Sequence, residues 1–192
     1  MPKIGMEPIR RDALVKAAIA EIGDAGSLDV TVTQIARRAG MSSALAHHYF
    51  GSKEQMLVAA MRHILGVFAA EVRGALAMAR SPQDRIEAIV RASFTAQSFR
   101  PETAAAWLHF YLQAQSSVPT RRLLTVYHRR LHSNLMAGFR PLVADPETAS
   151  EVIASLIDGV YLRQVLRPDK MAISDAVDLV LAEVHRLLKA AP

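Results

Sequence analysis

Thr31-Val32-Thr33-Gln34-Ile35-Ala36-Arg37-Arg38-Ala39-Gly40-Met41-Ser42-Ser43-Ala44-Leu45-Ala46-His47-His48-Tyr49-Phe50 reads as two short helices joined by a tight turn. Thr31 with Gln34 three places on forms a capping box, in which each side chain satisfies a backbone N–H at the helix start. Ile35, Ala36 and Ala39 recur at helical spacing and are expected to face inward, and Gly40 ends the helix. Ser42 caps the second helix, which runs to about Tyr49. Leu45 and Phe50 are expected to point to the core, and the small Ala36 and Ala39 let the two helices approach closely. The opposite face of the second helix is then bare. This is a helix-turn-helix layout, in which the first helix braces the second so that its N-terminal end projects into the DNA major groove.

The bare face carries chemistry suited to that task. Ser42, Ser43, Ala44, His47 and His48 offer hydroxyls, a methyl and imidazoles that reach base edges or a thymine methyl. Thr31, Thr33, Tyr49 and Lys53 sit at the rims, where hydroxyl and ammonium donors meet phosphates and set the register. On pattern alone the alternative stays open: a plain helical hairpin in a bundle, with His47 and His48 merely solvated.

Outward from this stretch, nearly every segment keeps the helical period, so an all-α fold of nine helices is expected. A first helix spans roughly Arg10 to Ile22, buries Leu14, Ala17, Ala18 and Ile22, and ends near Gly23 and Gly26. Ser52 and Gln55 open a long helix whose apolar stripe runs Met56, Leu57, Ala60, Met61, Ile64, Leu65 and Phe68. Ser81-Pro82, Pro101, Pro119, Asp145-Pro146 and Ser174 mark five further starts.

Of the 192 residues 51% are hydrophobic and 21% charged, the balance of an ordinary globular chain. The net charge of +5 favours a polyanionic partner, yet the first 53 residues hold seven Lys or Arg against five Asp or Glu. Charge alone therefore does not identify the partner. The absence of cysteine removes disulfides, thiolate nucleophiles and cysteine-ligated metals, and fits a reducing cytoplasm. No uninterrupted apolar run approaches the ~20 residues of a membrane span, and Met1 to Arg11 lacks the apolar core of a leader, so a cytoplasmic protein without a membrane partner is expected.

The stretch Thr31 to Ser42, continued by His48-Tyr49-Phe50-Gly51-Ser52-Lys53-Glu54-Gln55-Met56-Leu57, resembles the N-terminal domain of the TetR family of repressors. That resemblance implies a homodimer. Its three-helix DNA-binding domain would span 1–53, with a ligand-binding and dimerisation domain over 54–192. Its partner would be a near-palindromic operator in double-stranded DNA. The opening Met1-Pro2-Lys3-Ile4-Gly5-Met6-Glu7-Pro8-Ile9-Arg10-Arg11 is similar to the choline-responsive repressors of glycine-betaine biosynthesis genes within that family. So, more thinly, are Ala106-Trp107-Leu108 with Phe110, Arg129-Arg130-Leu131 with Asn134-Leu135, and Leu156-Ile157-Asp158-Gly159 with Leu162-Arg163. This implies choline as the effector that relieves repression; the alternative is another small hydrophobic or cationic ligand. Arg10 and Arg11 read either as an arm adding DNA contacts or as a solvated end.

Choline's quaternary ammonium donates no strong hydrogen bond and is held by aromatic faces. Trp107, Phe110 and Tyr111 fall at i, i+3 and i+4 and so share one helix face. Asp158 and Tyr161 share another, and Phe94 and Tyr127 are further candidate walls. Trp107 is the first choice for the cage. The plainer alternative is that these aromatics are core and that Asp158-Gly159 marks a kink or a dimer contact. His128 and His132 have a metal-compatible spacing but lack the Glu of a His-Glu-x-x-His site, and they read as part of a surface helix beside Arg129 and Arg130. No nucleophile elbow, phosphate loop or dinucleotide fingerprint is present, so neither an enzyme nor a cofactor is expected.

Overall fold

Helical periodicity and well-placed caps dominate the chain, and the computed structural model shows their outcome. It describes residues 5–26, 29–167 and 169–190; Met1 to Ile4, the start of the opening segment quoted above, lie outside them. Among the described residues there are nine α-helices and no strand. They are α1 (Met6–Ala25), α2 (Val32–Arg38), α3 (Ser43–Phe50), α4 (Lys53–Met78), α5 (Pro82–Ser93), α6 (Pro101–Gln113), α7 (Val118–Phe139), α8 (Pro146–Leu166) and α9 (Ile173–Lys189).

Two compact units divide these helices. The first comprises residues 1–65 and 100–121, the second residues 66–99 and 122–192. In the first unit α1 packs against α2 and α6, and α2 packs against α3. Its fully buried side chains include Leu14, Ala18, Val30, Ile35, Ala36 and Met56. The helix expected from Arg10 to Ile22 is longer at both ends. Gly23 does not stop it; Gly26, at φ 60°, does. Gly23 instead sits against α6, where an added Cβ would lie 2.3 Å from the Glu102 Cβ and 2.5 Å from its Cα. A glycine that looks like a terminator is thus a point of close helix approach.

In the second unit α9 packs against α5 and α8, around Ile86, Ile89, Val90, Leu135, Phe139, Ile153, Val180 and Val184. The expected start at Ser81-Pro82 is a complete capping box: the Asp84 amide donates to the Ser81 hydroxyl at 3.0 Å, and the Ser81 amide to the Asp84 carboxylate at 3.1 Å. Asp145 caps α8 through the Thr148 amide at 3.0 Å. Accepted hydrogen bonds hold both carboxyls below their ordinary range, chiefly from the Arg80 amide for Asp84 and from Thr148 for Asp145.

α4 is long and apolar enough to cross a bilayer by length and composition, although Arg62, Glu71 and Arg73 interrupt its apolar run. Met56, Leu57, Val58, Ala60, Met61 and Ile64 are nevertheless buried in the fold, which accounts for that composition. Most of the expected stripe is there; Leu65 and Phe68 are only partly buried.

The two kinds of glycine make a paired test. Gly23→Ala should lower thermal stability by about 1–3 kcal/mol, because the new methyl overlaps backbone on α6. Gly74→Ala, where an added Cβ meets nothing within 4 Å, should raise it by about 0.5–1 kcal/mol from helix propensity. Thermal denaturation followed by circular dichroism checks both signs.

Candidate nucleic-acid interface and effector clusters

A reading helix of two turns has little stability of its own and depends on what holds its ends and back. α3 is such a helix, eight residues long. At its front end the Ser42 hydroxyl accepts from the Leu45 amide at 3.2 Å, which leaves the hydroxyl hydrogen available. Behind it, Ala46 is fully buried and Phe50 is 5% exposed. The expectation that Leu45 supplies the inward face is corrected here. Leu45 is only partly buried, because Ala46 and Phe50, four apart, define the buried stripe.

The bracing helix is anchored from α1. Arg38 on α2 bonds Glu21 at 2.6 Å and also pairs with Asp24, and these bonds hold its pKa above the usual arginine value. The Thr31–Gln34 capping box forms as expected: the Thr31 amide donates to the Gln34 side chain at 2.7 Å, and the Gln34 amide to the Thr31 hydroxyl at 3.1 Å. The Thr31 hydroxyl hydrogen is itself directed at Gln34, at 2.8 Å. Thr31 therefore serves first as a cap. Thr33 accepts from the Ser43 hydroxyl at 3.1 Å, which ties the two helices together across the turn.

Ala44, His47 and His48 are exposed on α3, while Ser43, Tyr49 and Lys53 are partly so. The His47 Nδ1 lies 3.1 Å from the Gly51 carbonyl. A carbonyl only accepts, so Nδ1 carries the hydrogen, and in that tautomer of the imidazole Nε2 is an acceptor. Such a nitrogen suits the exocyclic amines of adenine or cytosine in the major groove. His48 meets the Tyr49 ring edge-on at 5.4 Å. Arg10 and Arg11 belong to α1, and neither projects as an arm. The Arg10 guanidinium lies 3.4 Å from the Tyr49 hydroxyl; Arg11 donates to the Tyr49 carbonyl and stacks over Phe50, 4.6 Å from the ring centre. Sequence reading also passed over Arg37, which is exposed on the last turn of α2 while its neighbour Arg38 is pinned.

The candidate effector residues fall into two clusters. In the first unit Trp107 contacts Phe110 edge-on at 5.8 Å and Tyr111 at 5.6 Å, as their shared helix face requires. Trp107 and Phe110 are buried, and Tyr111 is partly exposed. In the second unit Asp158 accepts from the Tyr127 hydroxyl at 2.9 Å, and Tyr127 lies 5.9 Å from Phe68. Tyr161 donates to the Ser98 carbonyl at 2.8 Å and stacks on Phe99 at 5.2 Å, and Phe99 in turn stacks on Phe94. Burial holds the Tyr161 phenol well above its ordinary pKa. Phe99 lies outside any helix, so no periodicity could have found it. His128 and His132 face different carboxylates of α8, Asp158 at 3.6 Å and Glu147 at 3.4 Å.

A capped, braced helix with its front left bare is the reading element of a helix-turn-helix transcription regulator. Comparison with known proteins carries the assignment further. Residues 14–60 match the bacterial regulatory proteins of the tetR family, and residues 82–189 match the BetI-type transcriptional repressor C-terminal region. The chain is 50% identical over 192 residues to the HTH-type transcriptional regulator BetI of Rhizobium meliloti (strain 1021), covering 99% of this chain and 95% of that protein. A transcriptional regulator from Rhodococcus sp. Rha1 superposes with a TM-score of 0.84 at 18% identity, over 94% of this chain and 97% of its own. A protein from Saccharomonospora viridis, crystallised in complex with choline, superposes with a TM-score of 0.79 at 17% identity, over 91% and 95%. This chain belongs to the TetR family, as a transcriptional repressor of the BetI type.

If His47 reads bases and Lys53 meets phosphate, their substitutions separate. His47→Ala should reduce the preference for operator over random DNA by about 1–3 kcal/mol. Lys53→Ala should weaken both DNAs alike and lower the salt slope by about one. Fluorescence anisotropy at several salt concentrations distinguishes the two patterns, and equal losses from both variants would remove His47 from base reading.

Proposed function

We propose that this chain is a homodimeric repressor of choline-to-glycine-betaine biosynthesis genes that releases its operator when choline binds. The observation that carries the reading is the bare face of α3, Ala44, His47 and His48, held over a buried back. The near-full-length likeness to a regulator named BetI supports the gene class. The DNA-binding role is assigned to residues 1–53 and the ligand and dimerisation roles to 54–192. The work is done in the cytoplasm, where the DNA is.

A near-palindromic operator follows from two-fold symmetry. Two copies of α3 would enter successive major grooves ~34–36 Å apart. The surface assigned to the second copy is the groove of about 580 Å³ along α8 and α9, lined by Leu156, Gly159, Val160, Met171 and Leu179 among others. Leu162, Leu166 and Leu179 are 39%, 62% and 53% exposed on these helices, apolar area of the kind a self-complementary interface covers.

DNA contact is assigned to Ser42, Ser43, Ala44, His47 and His48 at the bases and to Thr33, Tyr49 and Lys53 at the phosphates, with Thr31 fixing the start of α2. Choline is assigned to the aromatic clusters. Within the first unit Trp107, with Phe110 and Tyr111, offers quadrupolar faces to a quaternary ammonium; within the second, taken by itself, Asp158 offers a carboxylate already oriented by Tyr127. Tyr161, bonded to Ser98, is a wall rather than a donor. Release requires that choline bind the DNA-free arrangement more tightly than the DNA-bound one.

Isothermal titration of the purified protein with choline tests the ligand. Saturable heat, together with loss of affinity for the bound DNA, is the expected result. No heat and no change in affinity would transfer the role to another small hydrophobic or cationic ligand. Trp107→Ala should abolish the choline response, and Asp158→Asn should weaken choline binding about tenfold, both with DNA affinity intact. A variant that keeps the full response takes its residue out of the site.

A further inference from the structure

The last turn of a helix leaves carbonyls without intrahelical partners, and in α3 almost every one has a known donor. The His47 carbonyl accepts from the Gly51 amide at 2.7 Å, and the Phe50 carbonyl from the Ser52 amide at 2.8 Å. The Gly51 carbonyl accepts from the His47 ring. The Tyr49 carbonyl takes its donor from another helix, 38 residues earlier in the chain: the Arg11 guanidinium. The same guanidinium covers the Phe50 ring, the larger of the two buried side chains of α3. One turn face of α1 thus holds the end of the reading helix by a charge-assisted hydrogen bond and by stacking at once. Its positive charge also lies where the helix dipole is negative.

We infer that Arg11 is a positioning residue for DNA reading, which fixes the axis of α3 through the Tyr49 carbonyl and the Phe50 ring rather than by touching DNA. Its neighbour Arg10 approaches the Tyr49 hydroxyl as a donor. The phenol oxygen therefore acts as acceptor towards α1 and keeps its own hydrogen for a phosphate. With only Ala46 and Phe50 buried along α3, the helix has few side chains to set its pitch, and the Arg11 contact supplies the missing constraint at the C-terminal end. A lysine does this work poorly, since a point charge bonds the carbonyl but does not lie flat on the ring.

The inference rests on the DNA-binding reading above, and its test separates the two. The wild-type protein selects a duplex from a random pool, and affinity for that duplex and for a shuffled one is measured by anisotropy over a range of salt concentrations. Failure of the wild type to discriminate would count against the DNA-binding reading itself. Given discrimination, Arg11→Ala should lose about tenfold or more in the selected-to-shuffled ratio with the salt slope unchanged, and Arg11→Lys should lose less. A slope lower by about one, with equal loss on both duplexes, would make Arg11 a phosphate contact and overturn the inference. An unchanged ratio would overturn it too. Should Arg11→Ala lose its helix content by circular dichroism, Arg11→Lys decides by the same two criteria.

Discussion

Everything this fold does depends on holding an eight-residue helix still while leaving one side of it empty. A helix in solvent on most of its surface gains little from burial, so its position must come from its ends and from its neighbours. In α3 the front end is fixed by Ser42, the back by Ala46 and Phe50, and the far end by Arg11 from α1. α2, which stands behind it, is itself tied to α1 through Arg38 with Glu21 and Asp24. The result is a scaffold in which the contacts that order the head lie at the ends and back of α3, while Ala44, His47 and His48 stay exposed on its front.

That division explains what was legible in the sequence. Caps are local and have fixed spacing, so Thr31 with Gln34, Ser42, and Ser81 ahead of Pro82 were readable from short patterns, and the hydrogen bonds of all three caps are present. Inward faces were readable less well. Leu45 looked like core because it is large and apolar, yet the buried positions are those in register with Phe50, and the residue there is an alanine. Gly23 looked like a helix end because glycine usually breaks helices; its actual role, clearance for Glu102, depends on a neighbouring helix 79 residues away. The same distance problem hid the Arg11–Tyr49 contact. Two arginines near a terminus carry no mark that says which element they will hold.

The aromatic clusters show a further limit of spacing. Helical periodicity put Trp107, Phe110 and Tyr111 on one face, and they do pack together. It put Asp158 and Tyr161 on another, but their partners, Tyr127 for the first and Ser98 with Phe99 for the second, come from other segments. Side chains that share a face therefore need not share a task. Asp158 is a carboxylate with its orientation set by a phenol, whereas Tyr161 is committed to a backbone carbonyl and shielded by rings.

The central claim is that two copies of this chain present α3 to DNA in a fixed, symmetric register. Hydroxyl-radical footprinting on the duplex selected by the protein measures that register directly. The account predicts two protected tracts on one face of the duplex, centred about 10–10.5 base pairs or a whole multiple of that apart, which fade together when choline is added. A single tract, or diffuse protection without helical phase, would contradict it.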